Sequence, residues 1–165
     1  MSSAHGSPPG TPGVSAPIAV VMASVLFFAL AIAGLGGLSY FTDTDIIAVP
    51  GLGQAPGAVG MAAALIAFAA TLWPTVRPQR PSYTPVLITT IAVPLTHLVV
   101  VWIAVLFTGA GLVVATTVAG DFVRNGVSLV LLIVAAASAW SGVALRRTRA
   151  QRPEWPWERD DDSEH

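Results

Sequence analysis

The sequence predicts an all-α membrane protein: four transmembrane helices in an up-down bundle, with a disordered N-terminal tail and a mostly disordered C-terminal tail. Three observations predict it. Hydrophobic residues make up 54% of the 165 positions and charged residues 10%, where a soluble domain carries about 25% charged residues. The apolar residues gather into four runs, each long enough to cross a hydrocarbon core about 30 Å thick. Between the runs lie short stretches rich in Pro, Gly, Asp and Arg, the composition of turns at a membrane surface. The mean hydropathy of +0.71 agrees. A net charge of −1 offers no basic surface for nucleic acid, and the absence of cysteine excludes disulfides, thiolate metal sites and thiol nucleophiles.

Residues 1–16, MSSAHGSPPGTPGVSA, are small, polar and rich in Pro and Gly. They cannot bury enough apolar surface to offset their ordering entropy and read as a disordered tail. Ala31-Ile32-Ala33 has the look of a signal-peptide cleavage site. No Arg or Lys precedes the apolar run, however, and the run is too long for a secretory h-region, so it reads as a retained span.

That first span covers about 17–41, with Pro17 in the first turn, where a missing N–H costs nothing. Ala29, Ala33 and Gly37 recur every four residues and predict a helix-contact face that a neighbouring helix can approach closely. The stretch TDTDIIAVPGLGQAP, residues 42–56, reads as a surface loop. Asp43-Thr44-Asp45 matches the metal-binding DxD of nucleotide-sugar transferases only superficially, because no nucleotide-binding domain accompanies it; capping and solvated charge explain it. Gly51-Leu52-Gly53 lacks the preceding strand of a dinucleotide fingerprint.

The second span, about 57–76, is alanine-rich and closes on Trp73, suited to the headgroup boundary, and Pro74, which helps end the helix. Arg77, Arg80 and two prolines form a tight basic turn into the third span, about 83–108. Its 25 residues from Tyr83 to Phe107 would reach roughly 37 Å, allowing some tilt. His97 lies about halfway along, and Pro94 leaves a freed carbonyl near Thr90 that Thr89, Thr90 or Thr96 could satisfy.

Residues 109–126 cannot extend that helix without overshooting the bilayer, so a break at Gly109 to Gly111 is expected, with 112–119 in the interface or dipping shallowly into it. Asp121 and Arg124 share a face at a spacing of three, and Asp121 reads as an N-cap for the last span. The fourth span, about 126–147, carries the small residues Ser138 and Gly142 and stops at Arg146 and Arg147. The acidic tail, 148–165, holds Trp155-Pro156-Trp157, expected to dock in the headgroup region.

All eight basic residues are arginines. They concentrate in the second connection and the C-terminal flank, which by the positive-inside rule places both termini in the cytoplasm of a multi-pass plasma-membrane protein. The segment FTDTDII at 41–47 after the first span, together with RPEWPWERDD at 152–161 after the fourth, resembles a small family of actinobacterial four-span membrane proteins classed as a domain of unknown function. That resemblance covers the chain beyond its N-terminal tail and implies no catalytic residues. The alanine- and arginine-rich, lysine-free composition fits such a source.

The chemical inventory is thin. Of the three histidines, His5 and His165 lie in the tails, so no paired-histidine haem site and no histidine metal site can be assembled. No acid, base and nucleophile stand together, and no enzyme, cofactor or metal is expected. The polar site inside the membrane consists of His97, with Thr90 two turns away on the same face and Ser138 a partner by depth alone. An intramembrane histidine is a functional hypothesis by default, although a neutral ring needs only a donor and an acceptor nearby. Two function classes remain. One is a structural or accessory subunit in contact with the lipid bilayer and with a membrane complex or a second copy of itself. The other is a small oligomeric transporter or channel-like protein using His97, a version weakened by the lack of the membrane glutamate on which four-span multidrug exporters depend.

Overall fold

The computed structural model describes residues 14–42, 54–78 and 82–147. Among them the chain is entirely helical: α1 (Ala16–Thr42), α2 (Ala55–Val76), α3 (Val86–Phe107), α4 (Gly111–Arg124) and α5 (Val127–Arg147). α1, α2, α3 and α5 are long and apolar enough to cross a membrane. The expectations for Asp43-Thr44-Asp45, Gly51-Leu52-Gly53, Arg80, Trp155-Pro156-Trp157 and the two tails lie outside the described residues.

Alternation of direction follows from one arginine. Arg146, in the last turn of α5, donates from Nε to Val76 O at the end of α2, from Nη1 to Val14 O just before α1, and from Nη2 to Pro78 O. The start of α1 and the ends of α2 and α5 therefore share one end of the bundle. Tyr83, leading into α3, joins them by stacking on Trp140 at 6.2 Å beneath the Arg147 guanidinium, 4.3 Å from the ring centre. Trp73, Tyr83 and Trp140 form an amphipathic aromatic group there, and Tyr40 lies exposed at the other end. Leu72 and Ala23 both meet the Gly142 position, and Tyr40 lies seventeen residues beyond Ala23, about 26 Å along the helix axis and close to a bilayer core of about 30 Å.

Buried residues recur at helical spacing: Ala19, Ala23, Phe27, Ala31 and Leu35 on α1, and Gly60, Ala64, Phe68 and Leu72 on α2. The two phenylalanines stack at 4.8 Å. This stripe, rather than the expected one, faces the rest of the described chain. Ala29 and Ala33 are exposed, and no described residue comes within 4 Å of a Cβ built at Gly37. A two-residue offset turns a helix by about 200°, so the two stripes lie on nearly opposite sides. Alanine occurs on both sides, and the burial of Phe27 decides which one faces the core.

Pro74 lies inside α2 rather than ending it, and the helix closes with Arg77 N–H donating to Trp73 O at 3.0 Å. Gly109 and Gly111 take φ of 81° and 84°, a left-handed backbone that stops α3 and lets the chain turn back. α4 then runs antiparallel to α3, since Thr116 meets Trp102 and, further on, Phe122 meets His97. It reaches further along α3 than a shallow dip would. At 14 residues it spans about 21 Å and is too short to cross. Asp121 belongs to α4, where its carbonyl accepts Asn125 N–H at 2.8 Å, so it does not cap α5 as expected. α5 starts instead after Gly126, at φ 83°, whose carbonyl accepts Val130 N–H.

Candidate functional site

His97 is 3% exposed and is held by three helices. α3 supplies it. On α2, the missing side chain of Gly60 makes room: a Cβ there would lie 3.1 Å from His97 Cδ2 and overlap Val101 Cγ2. On α4, Phe122 stacks on the imidazole with ring centres 5.5 Å apart and planes 25° apart. The ring thus lies in a slot between a glycine and a phenyl ring. Gly60 is sixteen residues from Val76, so His97 lies about 24 Å from the Arg146 end and closer to the far end of the bundle, although it is central in α3.

The two expected partners do not meet it. Thr90 is buried, but its hydroxyl donates to Val86 O at 2.9 Å, one turn back on its own helix. Ser138 lies one turn before Gly142, which packs against Leu72, whereas His97 packs against Gly60, twelve residues along α2 from Leu72. The axial distance from Ser138 to His97 is therefore about 18 Å less one turn, or about 12 Å. That register places Ser138 level with Thr89, two turns before His97. Ser24 Oγ, Thr89 Oγ1, His97 Nδ1 and Ser138 Oγ are all buried without a hydrogen-bond partner among the described residues. An unpaired polar atom in an apolar interior costs free energy, which marks these four groups as the chemically conspicuous points of the core.

Sequence reasoning missed Gly60 and Phe122. Gly60 was hidden among the small residues of an alanine-rich span. Phe122 was a large aromatic in a Gly- and Thr-rich stretch, and this contrast was the available signal. Among the described residues no three of His, Cys, Asp and Glu are grouped to hold a metal. A shallow depression of about 480 Å³ on the outer face of α4, lined by Leu112, Val113, Thr116, Thr117, Gly120 and Arg124, does not reach the imidazole.

Four span-length apolar helices, closed around a core with a single intramembrane histidine, define a multi-pass α-helical membrane protein. The chain belongs to a family of unknown function, DUF6121, whose model matches residues 14–165. Comparison with curated proteins and with solved structures returns no match.

Proposed function

We propose that this is a non-catalytic plasma-membrane protein of an actinobacterial cell, a structural or accessory subunit that binds another membrane component or a second copy of itself. The observation that carries this reading is the enclosure of His97. The histidine of α3 is packed between Gly60, Val101 and Phe122, and its Nδ1 meets no hydrogen-bonding group among the described residues. Arg77, Arg146 and Arg147 at one end support a cytoplasmic location for that end and for both termini. Purification in mild detergent followed by native mass spectrometry tests the proposal. A foreign membrane protein at fixed stoichiometry is the expected result, and a homo-oligomer whose stability rises with a small ligand would overturn it.

The second reading, a small oligomeric transporter or channel-like protein, draws on the four unpartnered polar atoms. Ser24, Thr89, His97 and Ser138 lie on α1, α3 and α5, and water or a ligand entering the bundle would satisfy them.

A further inference from the structure

We propose that α4 is a two-position lid over His97, closed by the Phe122 stack while the imidazole is neutral and displaced when it is protonated, with Asp121 as counter-ion in the displaced position. Three observations meet at this helix. The first is its attachment: α4 is joined to α3 through Gly109 and Gly111 and to α5 through Gly126, all at positive φ. Among the described residues a Cβ at Gly109 or Gly111 would touch nothing within 4 Å, and one at Gly126 only Leu38 Cδ1 at 3.9 Å, so no described side chain wedges these joints.

The second is its packing. α4 buries Ala115, Val118 and Phe122 on one face, while Leu112, Val113 and Val123 are exposed. Trp102 Nε1 donates to Thr116 Oγ1 at 3.3 Å, a long hydrogen bond on the outside of the helix pair. Further along α3, the Phe122 ring of α4 lies on His97.

The third is the chemistry of that contact. A neutral imidazole stacks comfortably on a phenyl ring in an apolar slot. An imidazolium there gains a cation–π attraction but loses its hydration, and in a desolvated site the second effect is the larger. The charged and titratable groups on the packed elements are few. Among the described residues, α2 brings only Arg77 and α5 only Arg146 and Arg147, all at the opposite end of the bundle. α1 brings the exposed Tyr40, and α4 brings Asp121 and Arg124. Asp121 is half-buried and adjacent to Phe122, about 100° around the helix. A turn of α4 by one residue exchanges the phenyl ring for the carboxylate, and the glycine joints are placed to absorb it. Each position then favours one protonation state, which is what a switch requires.

The absence of native cysteine provides a clean test. A single cysteine is placed by Val118→Cys on the buried face of α4, with Val113→Cys on the exposed face as reference, in the full chain in phosphatidylcholine nanodiscs. The ratio of their thiol-labelling rates cancels the intrinsic pH dependence of the reagent. Between pH about 8 and about 5 the ratio is expected to rise at least about tenfold. His97→Gln should hold it flat, and Asp121→Asn, at a half-exposed position that leaves the core untouched, should suppress most of the rise. Ala115→Cys reports on the same face where Val118→Cys does not give folded protein. An unchanged ratio across this pH range, or an equal rise in either variant, overturns the proposal.

Discussion

At the scale of the residue, Gly60, Arg146 and His97 carry most of the argument. Adding a methyl group at Gly60 forces it into Val101 and the His97 ring, so Gly60→Ala should lower stability by about 1–3 kcal/mol in a detergent unfolding assay. Gly36→Ala, where no described residue lies within 4 Å, should stay within about 0.5 kcal/mol of the parent. Equal effects at the two positions would mean that the α2–α3 contact is loose. Arg146 satisfies three carbonyls from two other parts of the chain, and the planar fork of a guanidinium suits that task. Arg146→Ala should cost about 2–3 kcal/mol, and Arg146→Lys should recover less than half of it. Full recovery by lysine, read from the same unfolding curves, would reduce the role of Arg146 to charge alone. For His97 the unpartnered Nδ1 changes what substitution should do. Leucine leaves no protein group with an unmet bond and forfeits chiefly the Phe122 stack, so His97→Leu should cost only about 1 kcal/mol. If His97→Leu and His97→Gln both keep stability while abolishing a cellular phenotype, the histidine belongs to a functional site rather than to packing.

At the scale of the element, the contact face of α1 shows where sequence reasoning succeeds and where it stops. The span itself was legible because an apolar run of that length has few other fates. Its inward face was not: Ala29, Ala33 and Gly37 have the same spacing as the true stripe, and only the partner Phe68 on another helix selects Phe27 for burial. Ala33→Leu should therefore leave the unfolding temperature of the isolated chain unchanged. Its effect, if the face meets a second protein, should appear as a smaller complex on size exclusion. A drop in the stability of the monomer would contradict the orientation of α1. The break after α3 was legible from Gly109 and Gly111, since bilayer thickness limits α3. The return of α4 along α3 was not, because it brings Phe122 onto the imidazole that Gly60 makes room for. Neither residue announces the other in the chain. The site was accordingly half legible: His97 stood out as an ionisable group in hydrocarbon, whereas Thr90 proved to be satisfied on its own helix and Ser138 lay about 12 Å away along the bundle axis.

At the scale of the whole molecule, the proposal is that four helices cross and the fifth does not, with the Arg146 end in the cytoplasm. The arginines at one end support that side, and the helix directions place both termini on it. Arg146 gathers the start of α1 and the ends of α2 and α5, Tyr83 and Trp140 flank them, and α4 lies toward the opposite end. The measurement that bears on this most directly is a set of insertions of a reporter that is active only in the cytoplasm, placed at His5, Gln54, Ala110 and Asn125 and after Arg147. The account predicts activity at His5 and after Arg147 and silence at Gln54, Ala110 and Asn125. The pair flanking α4 is decisive, because a helix that does not cross must leave both of its ends on one side. Activity at either Ala110 or Asn125, or activity at Gln54 with silence at the termini, would contradict it.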